Sequence, residues 1–119
     1  MAVDKRFAAH VEELLAGLGP VRIKAMFGAA GVYVGELMVA IIDDDVLYFR
    51  GDAETESQFR DAGSTPFIYR ERDGREIPMN YFRAPEEALE GPDEAEPWAR
   101  LSIDAALRKQ AAKSKKRKA

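Results

Sequence analysis

The fold of this chain is predicted from residues 26–50, which run MFGAAGVYVGELMVAIIDDDVLYFR. Apolar side chains dominate the stretch, and two short polar segments, Gly35-Glu36 and Asp43-Asp44-Asp45, interrupt it. Glycine at the first position of a two-residue loop favours a type II′ turn, which connects adjacent antiparallel strands. The stretch therefore predicts three consecutive antiparallel strands joined by two tight hairpins.

The two loops also predict the register of the strands. With a two-residue first loop and a three-residue second loop, the expected pairs are Val34–Leu37, Val32–Val39, Ile42–Val46 and Ile41–Leu47. Successive side chains of a strand point to opposite faces of a sheet. One face is therefore expected to form the core, and its residues are Val32, Val34, Leu37, Val39, Ile41, Leu47 and Phe49.

The opposite face of these strands is also fairly apolar. We expect a helix or a second subunit to cover part of it, because exposed apolar patches commonly mark contact surfaces. The sequence thus predicts a homodimer whose contact patch consists of Tyr33, Met38, Ile42, Val46 and Tyr48, unless the first or the last helix covers these residues.

The composition indicates one cytoplasmic domain without a disulfide or a metal. The chain has 119 residues, no cysteine and one histidine, so neither a disulfide framework nor a histidine-rich metal site is expected. The three consecutive aspartates lack the spacing of a calcium loop and are predicted to be a solvated hairpin tip. No membrane-spanning run and no signal peptide are predicted. No cofactor is expected.

The segments on either side of the central strands predict an α+β fold of two layers. The layers are a mostly antiparallel sheet of about five to six strands, and helices at both termini and between the two hairpin sets. Caps and breakers place these elements. They are a helix capped by Asp4 and running to about Leu18, a helix from Asp52 to Gly63, a hairpin from Phe67 to Arg83, a short helix between Pro85 and Gly91, and a last helix with Asp93 and Glu96 as its capping box.

The second hairpin is predicted to turn at Arg72-Asp73-Gly74, with Gly74 in the left-handed conformation. This loop places Glu71 opposite Arg75 and Arg70 opposite Glu76, so that opposite charges face each other. A two-residue loop would place like charges opposite each other. The three-residue register yields a second apolar patch, made of Phe67, Tyr69, Ile77, Met79 and Tyr81.

The C-terminal end is strongly basic although the whole chain has a net charge of −3. We predict a domain over residues 1–108 and a disordered basic tail over residues 109–119, because the tail has no apolar residue larger than alanine. The tail is expected to bind nucleic acid weakly and without sequence preference, through Lys113, Lys115, Lys116, Arg117 and Lys118. The alternative is a solvated tail that raises solubility or folds back on the acidic body.

The sequence contains no recognisable set of catalytic residues. His10 lies at the edge of an apolar helical stripe and is predicted to be a half-buried packing residue. Gly28 and Gly31 could suggest a phosphate cradle, but strands flank them, so a tight turn or bulge is the favoured interpretation. Arg22, Lys24 and Arg83 could gather around an anion, which leaves a small ligand-binding domain or enzyme as a third hypothesis.

An ordered set of short motifs resembles the N-terminal domain of the TfoX/Sxy competence regulators. The first motif consists of Arg22, Lys24, Met26, Phe27, Gly28, Gly31 and Tyr33. The later ones are Ile42-x-Asp44, Leu47-Tyr48, Ala62-Gly63-Ser64-x-Pro66-Phe67, Met79-x-Tyr81-x-Arg83-x-Pro85 and Trp98-Ala99. The resemblance extends from the first helix to about Leu107.

The resemblance implies an α+β domain with an antiparallel sheet and helices at both ends. Full-length members of that family act as positive regulators of DNA-uptake competence genes, together with the cyclic-AMP receptor protein. The resemblance therefore implies a non-enzymatic regulatory or protein-interaction domain with a partner in the transcription machinery. Binding of nucleic acid through the basic tail is the alternative.

Overall fold

The computed structural model of the chain describes residues 4–26 and 28–118, with side chains as far as Lys113. The described part contains three α-helices, α1 (Lys5–Leu15), α2 (Glu56–Asp61) and α3 (Pro92–Lys118). It also contains six strands, β1 (Val21–Met26), β2 (Ala29–Val34), β3 (Leu37–Asp43), β4 (Val46–Arg50), β5 (Pro66–Arg70) and β6 (Glu76–Arg83). Two short 3₁₀ helices, Ala16–Leu18 and Glu86–Leu89, precede β1 and α3.

The six strands form one antiparallel sheet in the order β1-β2-β3-β4-β6-β5. Strands β1 and β5 are the two edges. The apolar stripes of α1 and α3 pack on one face of this sheet, where most of the buried side chains form one cluster. The predicted α+β class, the order of the elements and the antiparallel sheet are confirmed.

The first helix forms where its cap and its stripe predict. The Asp4 carboxylate accepts a hydrogen bond from the Arg6 backbone N–H at 2.8 Å, which satisfies one of the free donors of the first turn. Val11, Leu14 and Leu15 recur at helical spacing and are all buried. Burial of this stripe against the sheet holds α1 in place.

The predicted register of β3 with β4 is wrong by one residue. Asp44 and Asp45 both have positive φ, 51° and 58°, so the loop is a two-residue type I′ turn rather than a three-residue loop. Asp43 therefore pairs with Val46, and Ile42 pairs with Leu47. Because a shift of one residue exchanges the two faces, Ile42 lies in the core with no exposed surface.

The first hairpin follows the prediction at its turn and departs from it further along. Val34 pairs with Leu37, and Gly35 has a φ of 59°, as a type II′ turn requires. A β-bulge at Val39 then shifts the register, so that Val32 pairs with Ala40 instead of Val39. After the bulge, Ile41 lies on the face opposite the helices, where the sequence analysis had placed Ile42.

The second hairpin adopts the predicted register beside its turn, and a bulge between Pro66 and Ile68 shifts the pairing further along, where Pro66 pairs with Phe82. Gly74 has a φ of 90°, and its backbone N–H donates to the Glu71 carbonyl. Arg70 pairs with Glu76 across the strands and forms an ion pair with it. A second ion pair joins Arg75 to Glu71 at 2.7 Å. The rule that opposite charges face each other identified the loop correctly.

Helix α3 packs closely on the sheet because its buried positions carry small side chains. These residues are Ala95, Ala99, Ser102, Ala105 and Ala106. The Ser102 hydroxyl donates to the Arg50 carbonyl at 2.8 Å, which ties the middle of the helix to the end of β4. Phe59 stacks on Phe82 with 5.3 Å between ring centroids, and Trp98 covers Phe59.

Helix α3 differs from the prediction at both ends. It begins at Pro92, whose fixed φ suits the first helical position, so Asp93 lies inside the first turn and is not the cap. It continues to Lys118, whereas the sequence analysis predicted disorder from residue 109. Lysine, glutamine and alanine are good helix formers, and they extend a helix that the body has already nucleated.

Candidate functional site

One face of the sheet is opposite α1 and α3, and we call it the helix-free face. Paired residues of neighbouring strands lie on the same face of a sheet. The register therefore identifies the residues of the helix-free face. The pairs that cross it are Arg22–Tyr33, Tyr33–Met38, Ile41–Tyr48, Tyr48–Arg83 and Arg50–Tyr81. The face thus combines aromatic, apolar and cationic side chains.

All four tyrosines of the chain lie on the helix-free face, while the aromatic rings buried within the core cluster are phenylalanines. Tyr33, Tyr48 and Tyr81 are placed there by the register. The Tyr48 ring lies 5.0 Å from the ring of Phe67, and Tyr69 follows on the same side of β5. Phe49, Phe59 and Phe82 are buried in the helix-covered core. A hydroxyl at the rim of a ring suits a face that meets water.

Two of these rings lie under guanidinium groups. Arg22 lies over Tyr33 at 5.0 Å from the ring centroid, and Arg50 lies over Tyr81 at 5.6 Å. The Arg50 side chain also donates to the Met38 carbonyl at 2.8 Å, so its position is fixed by the neighbouring strand. Such cation–π contacts stabilise by about 0.5–1 kcal/mol at exposed sites.

The cations of the helix-free face have no carboxylate partner in the described part of the chain. Each ion pair found there belongs to another arginine, on α2, the β5–β6 hairpin or α3. The acids at this face are Asp43 on β3, Asp44 in the turn after it and Glu36 in the turn before it. The cations Arg22, Lys24, Arg50 and Arg83 outnumber them, so the face is positively charged although the chain is acidic overall.

The environment of the face keeps two of its tyrosines protonated. Burial raises the pKa of Tyr81 above its usual value, and the nearby Arg50 cation opposes this increase only in part. Burial also raises the pKa of Tyr48, and the Asp43 carboxylate adds to the effect. Both rings therefore remain neutral phenols near neutral pH.

The last turns of α3 form a wall at one end of the helix-free face. A groove of about 410 Å³ runs between this wall and the sheet, and a second groove of about 470 Å³ adjoins it. The two share Arg50 and Lys109. The residues that line the first groove are Tyr33, Glu36, Leu37, Met38, Arg50, Ala106, Lys109, Gln110 and Lys113. At 27 residues α3 is about 40 Å long, which carries it past the strand ends.

Arg108 anchors this wall to the body of the protein. Its guanidinium binds both oxygens of Asp52, at 2.7 and 3.1 Å, and also pairs with Glu54 at 2.7 Å. The hydrogen bond from Arg108 holds the pKa of Asp52 below its usual value. Arg108 thus holds α3 in place through its ion pairs, while Lys109 and Lys113 line the grooves.

The structure assigns the predicted motif residues to distinct places. Arg22, Lys24, Met26, Gly31 and Tyr33 lie on or in the helix-free face of β1 and β2. A Cβ on Gly31 would lie 3.1 Å from the tips of Met26 and Met38, so glycine leaves room there for both side chains. Gly28 is the turn glycine, with a φ of 80°, as predicted. Phe27 lies outside the described residues.

Two predicted clusters change when the strands are in place. In the predicted dimer patch, Tyr33, Met38, Val46 and Tyr48 do share the helix-free face, but buried Ile42 does not, and Ile41 takes its position. The predicted anion cluster does not form. Arg22 and Lys24 are on β1, and Arg83 is on β6, four strand positions or about 19 Å away.

The outer hairpin, formed by β5 and β6, carries most of the large apolar side chains that are exposed. The exposed fractions are 43% for Ile68, 44% for Tyr69, 37% for Ile77 and 37% for Met79. Tyr69 and Ile77 are cross-strand partners, and Ile68 pairs with Pro78 on the opposite side. Both faces of the hairpin therefore carry accessible apolar side chains beside its charged turn.

The remaining predicted residues have the following positions. His10 is half-buried, with its Nε2 atom 2.7 Å from the Leu89 carbonyl oxygen, as expected of a packing residue. Lys113 is exposed beside the first groove. The side chains of Lys115, Lys116, Arg117 and Lys118 lie outside the described residues. Over the part of the chain that the structure describes, no cluster of three His, Asp or Glu residues is placed to hold a metal.

The described helices also include no segment that is both long and apolar enough to cross a membrane.

The sequence alone did not predict that Arg50, Tyr81 and Lys109 lie close to one another. Arg50 continues the alternation of Val46 and Tyr48 along β4, so its position on the same face as Tyr48 could have been predicted from the sequence. The pairing of β4 with β6 was not, because α2 and β5 separate these strands along the chain.

Comparison with known proteins identifies the family. Residues 13–106 match the TfoX N-terminal domain family, and the chain belongs to it. The chain is also similar to Protein Sxy of Escherichia coli (strain K12), with 25% identity over 103 residues. That alignment covers 87% of this chain and 49% of the relative, so the chain spans about half the length of the curated relative that it matches.

Proposed function

We propose that this member of the TfoX N-terminal domain family is a non-enzymatic regulatory module of the cytoplasm that binds a protein of the transcription machinery. The observation that carries this proposal is the outer hairpin. It presents Ile68, Tyr69, Ile77 and Met79 to solvent at the edge of the sheet. Apolar surface of this kind is a common feature of protein-binding sites.

The position of the hairpin supports a protein ligand. Strand β5 is an edge strand, so the backbone groups on its outer side have no neighbouring strand. A partner can therefore add main-chain hydrogen bonds to the apolar contacts of the side chains. The ion pairs of Arg70 with Glu76 and of Arg75 with Glu71 hold the two strands of the hairpin in one register.

Capture from native cells with a tagged full-length chain tests the proposal. The wild-type chain is expected to recover RNA polymerase or a transcription factor after nuclease treatment. The double variant Ile68→Asn, Ile77→Thr should lose this partner, because both changes remove exposed apolar contacts. Leu107→Gln is the matched control, since Leu107 is an exposed apolar residue on α3, with 47% of its surface accessible.

Equal recovery by the wild type, the control and the hairpin variant would rule out the hairpin as the contact. Recovery of no transcription protein by the wild type would contradict the proposed function as a whole. All the substituted side chains are exposed, so the thermal midpoints should stay close to one another. Measuring them separates a lost contact from a lost fold.

A further inference from the structure

We propose that the helix-free face binds single-stranded nucleic acid, with bases stacked on its tyrosines and phosphates held by its unpaired cations. This site includes residues of β5 and β6, but it is tested with Arg22, Lys24, Arg83 and Tyr33 rather than with Ile68 and Ile77 of the outer hairpin, so the two proposals can fail independently. The face offers the two features that single-strand binding needs, namely aromatic rings that solvent reaches, the half-buried Tyr33 and Tyr48 and the exposed Tyr69, and positive charge along the same surface.

The aromatic component extends across the sheet from β2 to β5. Tyr33, Tyr48 and Tyr81 lie on β2, β4 and β6, and Phe67 contacts Tyr48 from β5. The rings and the guanidinium of Arg22, which lies over Tyr33, are planar surfaces on which unstacked bases can pack. Stacking of a base on an aromatic ring is worth about 1–3 kcal/mol.

The cationic component surrounds these rings. Arg22 and Lys24 flank them at β1, Arg83 lies opposite Tyr48, and Arg50 lies over Tyr81. Lys109 and Lys113 extend the positive charge along the groove beneath α3. Among the described residues, none of these cations is paired with a carboxylate. They are therefore free to neutralise phosphates, with release of counterions.

Charge complementarity favours this ligand over a second copy of the chain. In a two-fold symmetric dimer the same patch meets itself. The helix-free face would then place its arginines and Lys24 against an identical positive set, with the smaller number of acids, Asp43, Asp44 and Glu36 of each copy, to compensate. A polyanion meets no such repulsion.

The rings also favour a single strand over a duplex. In a duplex the bases are already stacked on one another, and the rings of a flat protein face cannot reach their planes. A duplex could use only the cations. A single strand can use both the cations and the rings, so its affinity for the intact face should be higher.

Fluorescence anisotropy with the full-length chain tests this inference. The probes are labelled oligo-dT and oligo-U of about twelve nucleotides, within the usual size of such sites, and a duplex of equal length. Both single strands are expected to bind, and the duplex at least tenfold more weakly. The variant Arg22→Gln, Lys24→Gln, Arg83→Gln should weaken single-strand binding at least tenfold. It should also lower the slope of log affinity against log salt by about 2.

Two controls make the test specific for this face. The variant Lys5→Gln, Arg6→Gln, Arg100→Gln removes the same charge from α1 and the outer side of α3, and it should bind like the wild type. The variant Lys115→Gln, Lys116→Gln, Arg117→Gln, Lys118→Gln removes the charge of the C-terminal end and should retain the preference for single strands.

A further variant tests the role of the rings. Tyr33→Ser should weaken single-strand binding and leave duplex binding unchanged.

Several outcomes would overturn the inference. They are equal losses in the face variant and its charge-matched control, a duplex bound as tightly as the single strands, and loss of binding only when the C-terminal cations are removed. A dimer that dissociates on Arg83→Glu, with no binding of either single strand, would assign the face to a second copy instead. Binding of acidic peptides with single-strand affinity would assign it to an acidic protein.

Discussion

Gly51 is the residue at which the packing leaves least room. A Cβ there would lie 2.7 Å from the Phe82 ring and 3.3 Å from the Thr55 hydroxyl. The Phe82 ring cannot withdraw, because it is buried and stacked on Phe59. Space rather than backbone conformation therefore requires glycine at this position, where β4 ends and the chain turns toward α2.

Gly51→Ala should destabilise the protein by about 1–3 kcal/mol through overpacking. Urea unfolding followed by circular dichroism measures the change. Gly17→Ala is the matched control, since nothing lies within 4 Å of a Cβ at Gly17. It should be neutral or slightly stabilising. Equal stabilities of the two variants would show that the Phe82 ring does not press on Gly51.

Single residues also explain which part of the register could be predicted. Gly35 and Gly74 made their turns predictable from the sequence, because glycine is the residue that tolerates the positive φ observed there. Asp44 and Asp45 adopt positive φ without glycine, so the second loop was predicted one residue too long. The bulge at Val39 has no sequence signal that we can identify. These two features decide the positions of Ile41 and Ile42, and hence part of the helix-free face.

At the scale of the element, α3 joins the core to the candidate site. Its small residues allow close contact with the sheet, and its last turns form the wall of both grooves. Arg108 fixes the direction of this wall by binding Asp52 and Glu54. The helix-forming residues after Leu107 were visible in the sequence. The ion pair that holds them beside the sheet depends on a contact between residues 56 positions apart, which sequence alone does not reveal.

Arg108→Gln should change the dependence of stability on pH. The folded pKa of Asp52 is lowered, so the folded state binds this proton less readily than the unfolded state. The stabilisation by the Asp52–Arg108 contact is therefore complete at pH values above 3.8, the ordinary pKa of an aspartate. It is lost as the pH falls through the lower pKa of folded Asp52. The difference in stability between wild type and variant should shrink over that range. Urea midpoints measured at several pH values give this difference.

Arg100→Gln is the control for this measurement. It removes an exposed arginine from the same helix, where Arg100 pairs with Glu96. Its stability should differ from that of the wild type by the same small amount at each pH. A difference for Arg108→Gln that stays constant down to the lowest pH would show that the Asp52 contact does not form in solution.

At the scale of the whole molecule, the sheet separates two kinds of surface. Its covered face holds Phe49, Phe82 and the aliphatic core, and its helix-free face holds the tyrosines and the unpaired cations. The class of fold and the order of its elements followed from the sequence, because local periodicity and caps carry that information. The positive charge of the helix-free face did not follow from the sequence. It depends on the pairing of β4 with β6 and on which side chains of each strand lie on that face.

The central claim is that the helix-free face binds single-stranded nucleic acid. Selective ¹³C labelling of tyrosine and phenylalanine rings allows the most direct test, because the tyrosines lie on the helix-free face and Phe49, Phe59 and Phe82 lie in the helix-covered core. During titration of the full-length chain with oligo-dT, the ring signals of Tyr33, Tyr48 and Tyr81 are predicted to shift, while those of Phe49, Phe59 and Phe82 stay in place. Tyrosine signals that remain unchanged at saturation, or core phenylalanine signals that shift as much as the tyrosines, would contradict the account.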